Sequence, residues 1–215
     1  MVYAGGYLLF FGINDALTYN VVPKNFDYLA PSACYDGLVV RGEIYQTVGR
    51  LPRSSEYVTP SVLGIPIGKE IVRRFYMIPL GVEEDVQNQL YLLVCVSDEE
   101  DVELLESLEK HRPALRDPDA PAMKFRGTMA RIDDGKYDAM MLYIKEHHTT
   151  LAGIEWGVKY GDMVFRKHIV PYAVYVDNRE SADYSSIIIG GVLVVVGIAL
   201  AAVLILRIKG EREGY

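Results

Sequence analysis

Histidines, cysteines and acid runs are the residues whose types could do chemistry here. The histidines are His111, His147, His148 and His168. A zinc pair on a helix needs ligands four residues apart, as in HExxH. His147 and His148 are adjacent and suit a helix C-terminus, where a cation meets the negative end of the dipole. A hydrolase would instead bring His147 or His168 together with two carboxylates near the 51–69 segment. The acid run Asp98-Glu99-Glu100-Asp101 lacks the DxDxDG ligand pattern of a calcium loop, and it matches the charge bias of a helix N-terminus. GxSxG, the phosphate-binding GxxxxGK and GxGxxG are all absent from the sequence, so the usual acyl-transfer and nucleotide fingerprints are missing. A glycosidase pair cannot be chosen among 29 acids without geometry. The catalytic residues stay unassigned, and no cofactor or metal is expected.

Two further groups invite a binding role. Cys34 and Cys95 would form a disulfide if the chain folds in an oxidising compartment. The competing reading of Cys95 is a buried free thiol in an apolar strand. No CxxC occurs, which disfavours thioredoxin-like and zinc-ribbon chemistry. The stretch GIEWGVKYGD, 153–162, holds the single tryptophan. Trp156 and Tyr160 on such a glycine-flexible loop would make a binding lip; the alternative is a loop tucked onto the core.

These residues must be positioned by a fold, and composition bounds it. The 215 residues are 50% hydrophobic and 24% charged, with a net charge of −7. Disordered and collagen-like chains are excluded. A nucleic-acid partner is disfavoured, since that role needs a basic face.

The strongest pattern is 187–206, IIIGGVLVVVGIALAAVLIL, twenty residues without a charged or hydrogen-bonding side chain. At 1.5 Å per residue a helix of this length matches a hydrocarbon core of about 30 Å. Fourteen of the twenty are Ile, Val or Leu, so insertion gains up to about 4–8 kcal/mol. Arg207, Lys209 and Arg212 follow the run, whereas Arg179 stands before it with Glu180 and Asp183. That asymmetry predicts a cytoplasmic C-terminus and an extracytoplasmic body.

Residues 2–13, VYAGGYLLFFGI, form a second apolar run, about 18 Å long as a helix and too short to span. No Lys or Arg precedes Lys24, so the basic region of a signal peptide is missing. Three readings stand: the end of a transmembrane helix that begins outside this chain, an interfacial helix, or a soluble element. The first is preferred because of a spacing. Gly5, Gly12 and Ala16 stand seven and four residues apart, and so do Gly190, Gly197 and Ala201. Each triplet would line one helix face, where small residues let membrane helices approach.

The intervening sequence predicts strands over 38–48, 70–80, 90–96, 124–132 and 163–176. Gly42 is expected at a bulge or close approach, and Pro171 at an edge or bulge. The segment 51–69 reads as a loop or mobile flap. Ser97 with Glu100 reads as a capping box, opening a helix with Val102, Leu105 and Leu108 on its apolar face. Asp133-Asp134-Gly135 reads as a turn. Tyr137, Met140, Met141 and Ile144 predict an amphipathic helix over 137–148. The echo of Val40-Arg41-Gly42-Glu43-Ile44 in Phe125-Arg126-Gly127-Thr128-Met129 hints at a curled sheet, though five residues fall short of a duplication. The expected class is α+β: a β-rich domain with two amphipathic helices, a C-terminal transmembrane helix and a truncated N-terminal one. The expected divisions are 1–17, 18–184, 185–208 and a tail, 209–215.

With YLLFFGI, LVVRGEIYQTVG, RRFYMIPLGV, YLLVCVS, KFRGTMARI and the final span in hand, the layout resembles uncharacterised Gram-positive bacterial membrane proteins that carry a β-rich domain between two transmembrane helices. That resemblance implies a fold layout and no catalytic residues. The functional expectation is a non-enzymatic protein of the cell membrane whose extracytoplasmic domain contacts a protein or ligand. Its partners would be the lipid bilayer and another membrane or envelope protein. The alternative is a membrane-anchored envelope hydrolase using histidine and carboxylates.

Overall fold

The apolar runs and turn signals resolve, in the computed structural model, into ten strands and four α-helices among the described residues, with two short 3-10 turns between β1 and β2. The structure describes residues 2–52, 54–59, 61–62, 65–66, 69–80, 89–110, 121–152, 166–179 and 184–213. In chain order these hold α1 (Val2–Asn20), β1 (Lys24–Asn25), β2 (Val39–Ile44), β3 (Gly49–Arg50), β4 (Glu56–Val58), β5 (Ser61–Val62) and β6 (Ile65–Pro66). Then come β7 (Ile71–Leu80), β8 (Leu90–Val96), α2 (Glu99–Lys110), β9 (Met123–Arg131), α3 (Asp134–Ala152), β10 (Ile169–Val176) and α4 (Ser185–Glu213). The class is α+β with a mixed sheet. Two compact units divide the chain: 1–21 with 179–215, and 22–178.

In the globular unit the main sheet has the order β1-β2-β9-β10-β8-β7-β3, with β4 also on β7. All its neighbours are antiparallel except β1 with β2 and β8 with β10. β8 reads as unbroken apolar sequence because both of its faces are covered. On one face Leu92, Val94, Val40, Phe125 and Val174 meet Val102, Leu105 and Leu108 of α2. On the other Leu93, Cys95, Phe75, Met77 and Ala173 meet Met140 and Ile144 of α3. Leu105 is fully buried, so its truncation to alanine would cost about 2–5 kcal/mol.

The two Arg-Gly echoes are neighbours: Arg41 stands opposite Arg126, Val40 opposite Gly127 and Gly42 opposite Phe125. The sheet is open rather than curled into a barrel. Both glycines are close-approach points. A Cβ on Gly42 would stand 2.7 Å from Phe26 Cβ, and one on Gly127 would stand 2.6 Å from Tyr175 O. Removing either Cβ lets Phe26 lie against the sheet, edge-on to Phe125 at 5.2 Å, and lets β10 close on β9. Pro171 sits in an interior strand. β10 tolerates it through an irregularity between Ile169 and Ala173 in its pairing with β8, as the missing N–H requires.

Three local expectations change. The segment 51–69 holds paired strands: Tyr57 pairs with Val72, Ser61 with Pro66 and Val62 with Ile65. Asp98, not Ser97, caps α2, its Oδ1 accepting from Glu100 N at 2.8 Å. Asp133 is likewise the cap of α3, accepting from Lys136 N at 2.8 Å, so the expected turn is a helix start.

The registers also fix where the chain enters and leaves. Lys24, Val40, Gly127 and Val176 stand level across β1, β2, β9 and β10. One step back, Tyr175, Cys95 and Phe75 stand level across β10, β8 and β7. Lys24 and Val176 thus share a level, β1 runs parallel to β10, and β2 and β9 continue past that level to Ile44 and Met123.

The other unit is the helix pair α1 and α4. The N-terminal helix continues to Asn20, three residues past the expected limit, and α4 continues through 209–213, read above as tail. Thr18 and Asn20 side chains donate to the carbonyls of Asn14 and Ala16, occupying acceptors that the helix end would leave open.

Candidate functional site

Within the helix pair, Gly5 and Gly190 meet backbone to backbone. A Cβ on Gly5 would stand 2.8 Å from both Gly190 O and Val194 N, and one on Gly190 would stand 2.6 Å from Leu9 N. Gly12 lies against Ile187, where a Cβ would be 2.7 Å from Ile187 N. Gly197 is buried, Ala16 is half-buried and Ala201 is exposed. The two small-residue triplets therefore share a single level. Antiparallel helices run their steps in opposite directions from a common point. Moving from Gly5 to Gly12 thus leads away from Gly197, and Ala201 cannot join the seam.

Past the seam, the Arg179 guanidinium grips the Asp15 carboxylate with two hydrogen bonds, 2.8 and 3.2 Å. The Tyr19 hydroxyl donates to Arg179 O at 3.1 Å. This clasp fixes the polar end of α1 to Arg179, six residues before the start of α4. A forked Arg–carboxylate pair has a geometric specificity that a lysine lacks. Around the pair, the stretch of α4 from 187 to 205 is apolar and largely open: Ile188 is 65% exposed and Val195 67%. Ser186–Ile205 is the one described helix segment long and apolar enough to cross a membrane, and little of it is buried.

In the globular unit the candidate chemical groups do not converge. His168 is buried, with Nδ1 2.8 Å from Gln89 O, and its own carbonyl accepts from Tyr91 N at 2.7 Å. It joins the start of β10 to that of β8. His147 and His148 lie in the last turns of α3, and their side chains fall outside the described set. His111 and the proposed lip, Trp156 and Tyr160, also lie outside the described residues. Cys34 and Cys95 are both buried and free. They belong to clusters on opposite faces of the sheet, so the expected disulfide is replaced by two separate thiols. Burial pushes the Cys34 thiol up and the Cys95 thiol up to about 12, which leaves neither as a ready nucleophile.

No motif pointed to the groove of about 680 Å³ between Pro52 and Ser54–Glu56 on one side and the outer side of α3 on the other. Its floor holds Lys136. The ammonium lies 2.5 Å from Glu56, contacts Asp133 and sits 5.0 Å above the Phe75 ring. Burial opposes its charge, but the bonds to Asp133 and Glu56 outweigh that and hold the ammonium above its ordinary value. In return, the hydrogen bond from Lys136 holds the Asp133 carboxyl below its ordinary value. A lysine kept protonated in this way is no nucleophile or Schiff-base donor. Glu146, Ser54, Ser55 and Tyr143 complete the polar lining. Only the Asp133-to-Lys136 spacing was visible in sequence; Glu56 arrives from a distant strand.

Among the described residues no three metal-ligating side chains gather. Comparison with family models, curated proteins and solved structures yields no match for the chain.

Proposed function

We propose that this chain is a membrane-anchored protein whose α+β unit stands on the extracytoplasmic side and serves protein or ligand contact rather than catalysis. The observation that carries the reading is the open apolar surface of Ser186–Ile205. Water would solvate that surface at a large cost, whereas lipid covers it, and the helical backbone satisfies its own polar groups. The Gly5–Gly190 seam supports a two-helix anchor, since close backbone approach is how apolar helices associate in lipid. The three cations after Leu206 support a cytoplasmic C-terminus. Among the described residues, one concave surface available to a partner is the groove around Lys136. The hydrolase alternative draws no support from His168, whose ring nitrogen is held by a backbone carbonyl.

Two labelling measurements test this. Vesicles holding the full chain are treated with an impermeant amine reagent from either side. Lys24 and Lys124 are to be modified only from outside, and Lys209 only from inside. Labelling of Lys209 together with Lys124 from one side would overturn the proposed topology.

A further inference from the structure

We infer that Arg41 and Arg126, set side by side by the two Arg-Gly motifs, form a binding site for a phosphate group. The site shares no residue with the groove around Lys136. It gives a ligand class to the contact reading above, and neither the anchor nor the side of the membrane enters its argument.

The first observation is register. Arg41 of β2 stands directly opposite Arg126 of β9. Residues opposite one another on antiparallel strands share a face, with Cβ atoms about 5 Å apart. Val40 and Phe125, their neighbours in sequence, belong to the core on the α2 side, so both arginines project from the other face. Like charges in opposite positions destabilise a sheet. The next rung on the same face shows the arrangement that serves the fold alone: Glu43 stands opposite Lys124 and the two pair at 3.8 Å.

The second observation is the surroundings of the two arginines. Arg41 is exposed, and among the described residues it has no ion pair or side-chain hydrogen bond. Arg126 is half-buried and its backbone is held at both groups. Its N–H donates to Asn178 Oδ1 at 3.1 Å, and its carbonyl accepts from Asp177 N at 2.8 Å. Glu43, the acid of β2, is already engaged by Lys124 and by the Tyr45 hydroxyl. Asp27 approaches Gly42 from the α2 side, where a Cβ would stand 3.5 Å from its Oδ1. Arg41, Arg126 and Lys124 against Glu43 and Asp177 leave a positive balance, in a chain whose net charge is −7.

The chemistry selects the anion. One guanidinium fork already fills the two oxygens of a carboxylate. A phosphate presents oxygens to two forks at once, and its charge offsets the repulsion between the arginines.

Calorimetry on the full chain in mild detergent, with inorganic phosphate and then glycerol phosphate added at fixed ionic strength, tests the site. Expected is saturable binding that Arg41→Gln weakens by about tenfold or more, the loss typical of a hydrogen bond to a charged group. Arg41→Lys should recover little of it, because an ammonium has no fork. Arg131, exposed at the end of β9, supplies the net-charge control: Arg131→Gln should weaken binding by about twofold at most, since distant exposed charges are screened. Equal losses in Arg41→Gln and Arg131→Gln would overturn the site. The urea midpoint of Arg41→Gln without phosphate should match or exceed that of the wild type; a much lower one would make Arg41 a residue of the fold and overturn the proposal. Phenylglyoxal modification of Arg41, read by peptide mass, separates the two sources of phosphate. The chain is placed in phosphatidylcholine bilayers with or without phosphatidylglycerol. Protection of Arg41 by free phosphate in phosphatidylcholine alone assigns the site to a soluble phosphate. Protection by phosphatidylglycerol only, with no heat from free phosphate, assigns it to a lipid headgroup. Protection by neither would overturn the proposal and leave the contact reading to the groove.

Discussion

Replacing Gly190 with alanine is the sharpest perturbation of the helix pair. The new Cβ would stand 2.6 Å from Leu9 N, 2.7 Å from Gly5 O and 3.0 Å from Leu9 Cα. All three are backbone atoms, so no side chain can rotate away. Relief requires the helices to separate by about 1 Å, and overpacking of that kind costs about 1–3 kcal/mol. Gly191→Ala supplies the control. Its Cβ would meet only Leu9 Cδ1, at 3.6 Å, an ordinary contact. Both substitutions gain about 1 kcal/mol of helix propensity, so their difference isolates the clash. The assay is energy transfer between fluorophores at the two helices, followed while SDS is titrated into mild detergent. The Gly190→Ala midpoint should fall well below that of Gly191→Ala. Gly5→Ala should behave like Gly190→Ala. The double variant should lose less than the sum, because one contact is removed twice. Equal midpoints for Gly190→Ala and Gly191→Ala would refute the seam.

Acid should weaken the Lys136 network. Asp133 titrates below its ordinary value in the folded chain, so its stabilisation is complete above the unfolded value and is lost as pH falls through the folded one. Urea midpoints should decline below about pH 4, and Asp133→Asn should flatten that decline. A wild-type slope unchanged in Asp133→Asn would contradict the assignment. The buried thiols should react with a water-soluble maleimide only after unfolding, and oxidation should not link Cys34 to Cys95. Rapid labelling of the native chain, or a mass two daltons lower after mild oxidation, would show that the opposite-face placement is wrong.

Local sequence exposed the elements whose cause is local. LYLLVCV read as a buried strand, and the spacing of Val102, Leu105 and Leu108 described one face of α2. The apolar run after Ser186 announced itself by length alone. The sheet order was hidden, because β10 lies between β9 and β8 through pairings made across some forty and eighty residues. The cysteine geometry was hidden for the same reason: which face a residue occupies depends on register, and Cys34 lies off the sheet. The strands within 51–69 were hidden because its prolines and glycines are turn signals when taken singly, whereas Glu56, Tyr57 and Val58 become a strand by pairing with β7 and Pro66 lies opposite Ser61. Ser97 lost its capping role to its neighbour Asp98, a difference of one residue that sequence patterns rarely resolve. Gly5, Gly12 and Gly190 stand where α1 and α4 approach closely, but spacing alone carries no information on direction, and Ala201 is exposed.

Alkaline carbonate extraction of membranes carrying the full chain tests the account at its base. If lipid covers Ser186–Ile205, the chain stays with the membrane pellet and enters solution only with detergent. A chain recovered in the carbonate supernatant would contradict the anchor and everything built on it.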